Sequence, residues 1–373
     1  MIIQGTVRLG KRTKDLVKKL QPHEIAVIDH QDLDQLAAKS LIRSKVKAVI
    51  NNSHSISGRY PNLGPQKLIE AGIAIIDCYD QDLFNLLETG SKIIIENGKI
   101  STPKKLLGAG QELTKSKIKE QLQAAQKNLA NELDRFIDNT LNYAKQEKRL
   151  ILGLNIPPIR TNLASKEVLI VVRGSDYRQD LETVVSYIQQ VKPVLIGVDG
   201  GADALLEYGF KPDIIIGDMD SVSNNALKQG AEIIVHAYPN GQAPGMKRIK
   251  ELNLSAQKFP APGMSEDIAM LLAYEQGADL IVAVGTHTNM IDFLEKGRLG
   301  MASTFLARLK IGSKLVDAKG VNKLYQHNKL TINSFFQLLI TALVPILVII
   351  LISPTLKQLF NLVIIKLKFS LGI

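Results

Sequence analysis

Residues 197–221 read GVDGGADALLEYGFKPDIIIGDMDS, and this stretch decides the fold. The apolar run VKPVLIGV ends where it meets Asp199 and two glycines, the pattern of a buried strand that leads into a tight turn. A second apolar run, DIIIGD, ends at Asp218, Asp220 and Ser221, and the ADALLEYG between the runs has helical spacing. We therefore predict a strand, turn, helix and strand of a parallel sheet, with acidic residues after both strands.

The three aspartates Asp199, Asp218 and Asp220 are predicted to lie at one edge of this sheet, outside the carboxyl ends of the strands, where open α/β sheets bind ligands. Carboxylates gathered there repel each other unless a cation joins them, and Mg²⁺ that carries a nucleotide phosphate suits oxygen ligands. The alternative is that only the glycines of the turn matter. For Asp203 and Asp213 we favour a capping or turn role.

Length and composition set the outer limits of the interpretation. A chain of 373 residues is long enough for two or three domains. The single cysteine, Cys78, leaves no disulfide framework and suits a reducing cytosol. The formal charge of +10 comes from lysines that are spread along the chain, which argues against a nucleic-acid partner. The first residues lack a long apolar region and do not form a secretory signal.

Residues 1–105 are predicted to form a small α/β domain. Its strands are IAVIDH, VKAVIN, IAIID and KIIIENGKI, the last with a hairpin-like Asn-Gly, and DLDQLAAKSLI is a helix. The polar loop at residues 53–65 carries Arg59, whose guanidinium could hold an anion. A surface turn that packs Tyr60 is an equally good interpretation.

A connector helix is predicted within residues 106–150, because one apolar stripe recurs there at steps of three to five. Its members are Ile118, Leu122, Ala125, Leu129, Leu133, Phe136 and Leu141. The stripe favours either homodimerisation or packing against the chain's own domains, and the sequence leaves both open. The paired prolines of NIPPIR mark the next domain boundary.

Residues 151–330 alternate between strand and helix patterns and are expected to form a parallel α/β domain. VLIVVRG ends in Arg173 and Gly174, and SEDIAM begins a helix at Ser265. Carboxylates are favoured at a helix N-terminus, so capping is one interpretation of this acidic turn. Asp267 is the residue that could also reach the acidic edge.

The motifs GVDGGAD, PDIIIGDMDS and SEDIAM, in this order, resemble the nucleotide-binding half of thiamin pyrophosphokinases. That family transfers a diphosphate from ATP to thiamin with Mg²⁺. The resemblance implies that Asp199, Asp218 and Asp220 bind the metal and act in catalysis, and that Asp267 and Ser221 lie with the nucleotide. The other candidate nucleotide-binding residues are Arg173, Gly174, Gly200, Gly201 and Arg298.

Arg298 belongs to the stretch GTHTNMIDFLEKGRLG. This stretch has three groups that could contact phosphates: His287, Lys296 and Arg298. A solvated helix end explains Lys296 equally well, and Arg298 is favoured over His287. The thiamin pyrophosphokinase family has a Gly-Gly-Arg and Asp-His element at this position and a C-terminal β-sandwich, and the sequence departs from both.

Further motifs extend the resemblance to the SteA-like family of bacterial cell-division proteins. They include SISGRYPNLGP, VVRGSDY, VHAYPNGQAPG and LVDAKGV. This resemblance implies a membrane-tethered regulator of cell division and cell separation, with partners at the division site, and does not imply catalysis. The element order of residues 1–105 also resembles the swivelling phosphohistidine domain, but the corresponding loop offers Arg59 and Tyr60 in place of a reactive histidine.

Residues 334–352, SFFQLLITALVPILVIILI, form an uncharged run that predicts a transmembrane helix. We therefore expect a single-pass protein of the cell membrane, with its large N-terminal part in the cytoplasm. Residues 353–373 form an apolar, basic tail that could lie in the interface or pack as a second segment.

The fold class that we predict is α/β: a small N-terminal domain, a long connecting helix, a thiamin pyrophosphokinase-like parallel domain and a C-terminal transmembrane helix. Two functions remain open. One is a membrane-anchored scaffold that binds a Mg²⁺-nucleotide such as ATP without catalysis. The other is an active diphosphotransferase that acts on thiamin or another alcohol.

Overall fold

The computed structural model describes residues 2–323, 340–341, 343–345, 348–349 and 352–371. The chain divides into two units, Met1–Gly320 and Val321–Ile373. The first unit contains two sheets joined by a long helix, and the second is described by itself below.

The first sheet has eight strands in the order β7-β6-β5-β1-β2-β3-β4-β8. Its central strands β1 to β4 run parallel, and the remaining strands pair antiparallel with their neighbours. The strands are β1 (Ile2–Leu9), β2 (Ile25–Ile28), β3 (Ala48–Asn51), β4 (Ala74–Asp77), β5 (Lys92–Glu96), β6 (Lys99–Ser101), β7 (Leu106–Ala109) and β8 (Gln111–Glu112). Four helices accompany them: α1 (Thr13–Leu16), α2 (Gln35–Arg43), α3 (Gly64–Glu70) and α4 (Leu83–Leu86).

The connector α5 (Lys115–Gln146) is followed by the single turn α6 (Arg149–Leu152). Thr114 caps α5, because its side chain accepts a hydrogen bond from the Lys117 amide at 3.3 Å. One face of α5 packs within the chain: Phe136 lies 6.1 Å from Phe293, centroid to centroid, in a buried cluster with Tyr60. The structure thus shows packing against the chain's own domains.

The loop at residues 53–65 packs on this connector. Tyr60 is buried, and the Arg59 guanidinium forms an ion pair with Glu132 of α5, whose side chain is only 5% exposed. A buried carboxylate needs such a partner, since leaving it alone costs free energy. Arg59 therefore joins the loop to the connector, and the anion-binding interpretation of this residue is not supported.

The second sheet has seven parallel strands in the order β13-β12-β11-β10-β9-β14-β15. They are β9 (Glu167–Val171), β10 (Val194–Val198), β11 (Ile214–Gly217), β12 (Glu232–Ala237), β13 (Gln257–Pro260), β14 (Leu280–Val284) and β15 (Leu315–Asp317). The helices are α7 (Tyr177–Val191), α8 (Gly201–Glu207), α9 (Asn224–Leu227), α10 (Gly245–Glu251), α11 (Ser265–Glu275), α12 (Met290–Glu295) and α13 (Ala302–Ile311). All residues of β10 and β11 are buried, as expected for strands covered on both faces.

The strand order reverses beside β9, because the chain first adds β10 to β13 on one side and then β14 on the other. Ligands bind at such a switch point, outside the carboxyl ends of the strands. The predicted site residues other than Asp267 and Arg298 follow β9, β10 and β11, so the topology brings them to this edge.

The second unit contains α14 (Pro354–Leu371), which carries Lys357, Lys366 and Lys368. Among the described residues, every helix is either too short or not apolar enough to cross a bilayer. The predicted transmembrane helix and the single-pass localisation are therefore wrong. Of residues 334–352, positions 334–339, 342, 346–347 and 350–351 lie outside the described residues.

We expect Arg59→Met to lower the free energy of unfolding, because it leaves the Glu132 carboxylate buried without its partner. The loss should be about 1–3 kcal/mol, measured by urea unfolding. Arg135→Met, an exposed arginine on the same helix, is the control and should change little. Equal stability of the two variants would contradict the role given to Arg59.

Homodimerisation stays a prediction, which the exposed face of α5 allows us to test. This face carries Leu133, Ile137 and Leu141, which are 43%, 44% and 49% exposed. If the face is a dimer interface, the double variant Leu133→Glu/Ile137→Glu should convert a dimer to a monomer in light scattering, because charges cannot be buried there. Arg135→Glu is the matched control, and a monomeric wild-type protein would contradict the prediction.

Candidate functional site

Asp199 and Asp218 follow neighbouring parallel strands at the point where each strand ends. Val198 of β10 pairs with Ile216 of β11, and the Asp199 amide donates to the Ile216 carbonyl at 2.9 Å. Asp199 then turns sharply, with a left-handed φ of 47°. This register brings the two side chains to the same edge of the sheet.

The carboxylate of Asp199 is held in place by the backbone of the following strand. It accepts a hydrogen bond from the Met219 amide at 3.0 Å. It also lies against Gly217, where an added Cβ would come within 2.1 Å of Asp199 Oδ1. Glycine is therefore required at position 217, because any side chain would displace the carboxylate.

The two aspartates form a close pair of like charges. Burial and, after it, the charge of Asp218 raise the pKa of Asp199 to about 7, and the charge of Lys296 acts in the opposite direction. Such a pair is unfavourable when both groups are ionised, unless a cation compensates the charge. The prediction that Asp199 and Asp218 lie together agrees with this geometry.

Asp220 and Ser221 are exposed and take a lesser part in the pair. The Asp220 amide donates to Asp218 Oδ1 at 2.8 Å, which orients the Asp218 carboxylate. In the part of the chain that the structure describes, no three histidine, cysteine or acidic side chains are grouped so that they could hold a metal ion. The geometry therefore supplies two carboxylates at this edge, and a metal role for Asp220 stays a prediction.

Two glycines of the turn after β10 allow close packing at the same edge. A Cβ on Gly200 would come within 2.7 Å of Arg173 Cδ, so the Arg173 side chain lies directly over this turn. A Cβ on Gly201 would come within 1.9 Å of the Val171 carbonyl oxygen of β9. Gly174 likewise lies against the Gly285 carbonyl, so these glycines bring β9, β10 and β14 together at the edge.

The end of α12 and the loop after it carry two cations, Lys296 and Arg298. This helix ends in a Schellman motif: Gly297 has a φ of 69°, its amide donates to Leu294 and the Arg298 amide donates to Phe293. Lys296 lies within electrostatic range of Asp199. The motif therefore fixes the backbone from which Lys296 and Arg298 project.

His236 of β12 lies in electrostatic range of Asp218 and Arg298, and no sequence motif pointed to this residue. Burial lowers the pKa of His236, whereas the charge of Asp218 raises it and that of Arg298 lowers it. The imidazole bonds to Ser265 Oγ at 2.9 Å and to the Ala261 carbonyl at 3.0 Å. A polar residue near the end of an otherwise apolar strand was the signal that could have identified it.

The acidic turn of α11 has structural partners. Glu266 accepts from the His287 amide at 3.0 Å and pairs with His287 Nδ1 at 2.8 Å, so this histidine is not available to phosphates. Asp267 is fully buried and accepts from Ser303 Oγ at 2.7 Å and Thr304 Oγ1 at 2.9 Å. The structure therefore places Asp267 against α13, and its nucleotide-binding role stays a prediction.

The capping interpretation of Asp203 and Asp213 agrees with their hydrogen bonds. Asp203 accepts from the Ser223 amide at 2.9 Å, and Asp213 accepts from the Leu195 amide at 2.8 Å. Both carboxylates therefore serve backbone amides.

The residues of this edge fit a Mg²⁺-nucleotide. Mg²⁺ in nucleotide enzymes is typically held by one or two carboxylates together with substrate phosphates, rather than by a cage of protein ligands. Asp199 and Asp218 supply two such carboxylates, and Arg173, Lys296 and Arg298 supply positive charge at the same edge. The donor set therefore suits a metal that brings phosphate ligands with it.

Asp267 predicts a pH dependence of stability. Burial, followed by the charge of Glu266, raises the pKa of Asp267 to about 7, well above the usual value of about 3.9. The folded protein therefore prefers the protonated form, and this contribution to stability is lost as the pH rises through 7. Asparagine does not titrate, so the variant Asp267→Asn does not lose this contribution. The free energy of unfolding of the variant minus that of the wild type should therefore rise by about 1–3 kcal/mol between pH 5 and 8.

Urea unfolding at several pH values measures this difference. Asp279→Asn is the control, because Asp279 is exposed and precedes β14 at the opposite edge of the sheet. Parallel pH profiles for wild type and Asp267→Asn would refute the assignment.

Two family models match the chain. The model described as "Thiamin pyrophosphokinase, catalytic domain" matches residues 184–243, which include Asp199, Asp218 and Asp220. The model described as "SteA-like C-terminal domain" matches residues 319–369.

A curated relative matches a third of the chain. It is the 6-hydroxymethyl-7,8-dihydropterin pyrophosphokinase of Methanothermobacter thermautotrophicus, 28% identical over 138 residues, which are 33% of this chain and 58% of the relative. The chain thus spans little more than half the length of this relative.

Two solved structures show partial likeness. The thiamine pyrophosphokinase of Bacillus subtilis is 22% identical, with a TM-score of 0.25 over 40% of this chain and 60% of that one. The 3-isopropylmalate dehydratase of Methanocaldococcus jannaschii is 14% identical, with a TM-score of 0.24 over 35% of this chain and 96% of that one. These TM-scores are too low to carry an argument. From the family models, the chain contains a thiamin pyrophosphokinase-like catalytic segment and a SteA-like C-terminal segment.

Proposed function

We propose that the second sheet binds a Mg²⁺-nucleotide, such as Mg²⁺-ATP, at the carboxyl edge of β10 and β11. The observation that carries this proposal is the close approach of Asp218 to the half-buried Asp199, because the repulsion between the two carboxylates is unfavourable without a cation. The match of residues 184–243 to the thiamin pyrophosphokinase catalytic domain supports the same ligand class.

Each residue of the edge has a distinct role in this proposal. Asp199 and Asp218 hold the metal, which in turn neutralises phosphate charge. Arg173, Lys296 and Arg298 contact phosphate oxygens, because guanidinium and ammonium groups donate several hydrogen bonds to such oxygens. The glycines at positions 200 and 201 let the Arg173 side chain and β9 approach this turn closely, which places Arg173 beside the proposed site.

We place this nucleotide site in a protein of bacterial cell division and cell separation. The SteA-like match at residues 319–369 supports this setting, together with the motifs of the sequence. The nucleotide state of the second sheet would then regulate contacts with division-site proteins.

A second candidate function is diphosphoryl transfer from ATP to an alcohol, and the surroundings of Arg298 favour it. This side chain lies in electrostatic range of His236 and also lines a cavity of about 330 Å³. In the transfer, the alcohol oxygen bonds to the β-phosphorus, and the bond from that phosphorus to the bridging oxygen breaks. AMP leaves with the electron pair, the alcohol proton passes to water, and Asp199 acts as a ligand of the metal.

Asp218→Asn should weaken the binding of Mg²⁺-ATP by about tenfold or more, because it removes one of two metal ligands. Isothermal titration calorimetry on the full chain measures this loss, and chelation of Mg²⁺ should reproduce it in the wild type. Asp279→Asn, at the opposite edge, is the matched control and should bind like the wild type. Unchanged affinity of Asp218→Asn would refute the metal role of the pair.

A direct assay separates the two functions. Incubation with Mg²⁺-ATP and either thiamin or 6-hydroxymethyl-7,8-dihydropterin, followed by chromatography, detects AMP and a diphosphorylated product. If the second function holds, AMP and product form in equal amounts, and Asp199→Asn abolishes both. Nucleotide binding without product would support the binding function and contradict diphosphoryl transfer.

A further inference from the structure

The turn that carries Asp218 contains a residue in an unusual conformation. Met219, between Asp218 and Asp220, has a left-handed backbone with a φ of 67°. Residues with a Cβ rarely adopt this conformation, because the Cβ crowds the following carbonyl oxygen. It persists only where the surrounding structure holds it. The contacts of Met219 therefore identify what holds the turn.

Three contacts hold Met219. Its side chain is fully buried in the apolar cluster that includes Ile249 of α10. Its amide donates to Asp199 Oδ1 at 3.0 Å, and its carbonyl accepts a hydrogen bond from the Arg248 guanidinium. The first two contacts belong to the core and to the acidic pair. The third comes from a residue that has no role in the site described so far.

Arg248 is a half-buried residue of α10 that joins two points of the acidic loop. Its Nη1 donates to the Met219 carbonyl, and its Nη2 donates at 2.6 Å to Oδ1 of Asn224, the first residue of α9. A guanidinium is planar and presents its donors in a rigid fork, so it keeps two acceptors at a fixed separation. Arg248 therefore connects the turn to the start of the next helix.

The helix α10 packs directly on the same loop. Ile249 is fully buried, and Gly245, at the start of the helix, lies against the Asp218 carbonyl oxygen. An added Cβ at position 245 would overlap this oxygen, so glycine permits the close approach. The backbone that carries Arg248 is therefore anchored on both sides of this residue.

One peptide unit links Arg248 to the carboxylate of Asp218. This unit consists of the Met219 carbonyl and the Asp220 amide, which point in opposite directions in a trans peptide. The carbonyl accepts from Arg248, and the amide donates to Asp218 Oδ1 at 2.8 Å. A charged donor on the carbonyl polarises the peptide and strengthens the bond on its other side. Arg248 thus orients Asp218 through this peptide.

We infer that Arg248 is a positioning residue for the acidic pair. It holds the left-handed turn at Met219, so that the Met219 and Asp220 amides stay directed at Asp199 and Asp218. Its effect on metal binding rests on the proposed function, whereas its effect on the turn follows from the hydrogen bonds alone. The segment that carries α10 is thus part of the support of the candidate site.

Isothermal titration calorimetry on the full chain tests the effect on the metal site. Arg248→Met should weaken Mg²⁺-ATP binding by about tenfold, because the loss of a group that orients metal ligands has an effect of this size. Its affinity for ATP in the presence of EDTA should match that of the wild type, since the phosphate contacts remain. Arg248→Lys retains one donor nitrogen and should recover part of the loss. Lys250→Met, at an exposed position of the same helix, is the control and should bind like the wild type.

Hydrogen exchange followed by mass spectrometry tests the effect on the turn without nucleotide. In Arg248→Met, residues 218–224 should exchange about threefold faster or more, because the turn opens locally more often. Strand β14 should exchange as in the wild type, which checks that the domain remains folded. Lys250→Met should leave both segments unchanged.

The outcomes separate this inference from the proposed function. Faster exchange at residues 218–224 in a chain that binds no Mg²⁺-ATP contradicts the nucleotide site and supports the role of Arg248 in the turn. Unchanged exchange in Arg248→Met overturns that role, whether or not the affinity falls. Faster exchange with unchanged Mg²⁺-ATP affinity also overturns it, because the turn would then not position the metal ligands.

Discussion

The repulsion between two carboxylates at the ends of adjacent parallel strands is the constraint on which the candidate site depends. The register of β10 and β11 places Asp199 and Asp218 side by side, and the Met219 amide and the absent side chain of Gly217 hold Asp199 there. The backbone therefore enforces a contact that the charges oppose. Two cations lie outside the strands, because Lys296 and Arg298 project from the loop that ends α12. A metal ion that carries phosphate ligands would neutralise the charge of the two carboxylates.

The connector helix α5 packs on both domains of the first unit. Phe136 packs with Phe293, and Glu132 pairs with Arg59, so α5 is fixed both to the domain that holds the second sheet and to the loop of the first domain. Because α5 is long and anchored along one face, its C-terminal end is held near the Arg298 loop. Glu147, which follows this end, lines a cavity together with Arg298. A single helix thus joins the N-terminal domain to the surroundings of the candidate nucleotide site.

Local sequence patterns predicted the strands and helices that bury apolar runs. They failed for residues whose structure depends on partners that are distant in sequence. The strands that end at Asp199 and Asp218 and the connector could be read from periodicity alone, whereas β1 has a mixed pattern and becomes a strand by pairing with β2 and β5. The role of His236 depends on its hydrogen bonds to Ser265 and Ala261, which are distant in sequence and which no local pattern contains. Hydropathy predicted a membrane helix at residues 334–352, but it counts apolar residues without showing that a long apolar helix forms, and no described helix meets that requirement.

Crystals of the full chain soaked with Mn²⁺ and a non-hydrolysable ATP analogue offer the most direct test of the central claim. Mn²⁺ has the oxygen-ligand chemistry of Mg²⁺ and an anomalous signal. We expect an anomalous peak at about 2.0–2.3 Å from oxygens of both Asp199 and Asp218, with phosphate oxygens completing the coordination. A map with no peak at the pair, and with the Lys296 ammonium between the two carboxylates instead, would contradict it.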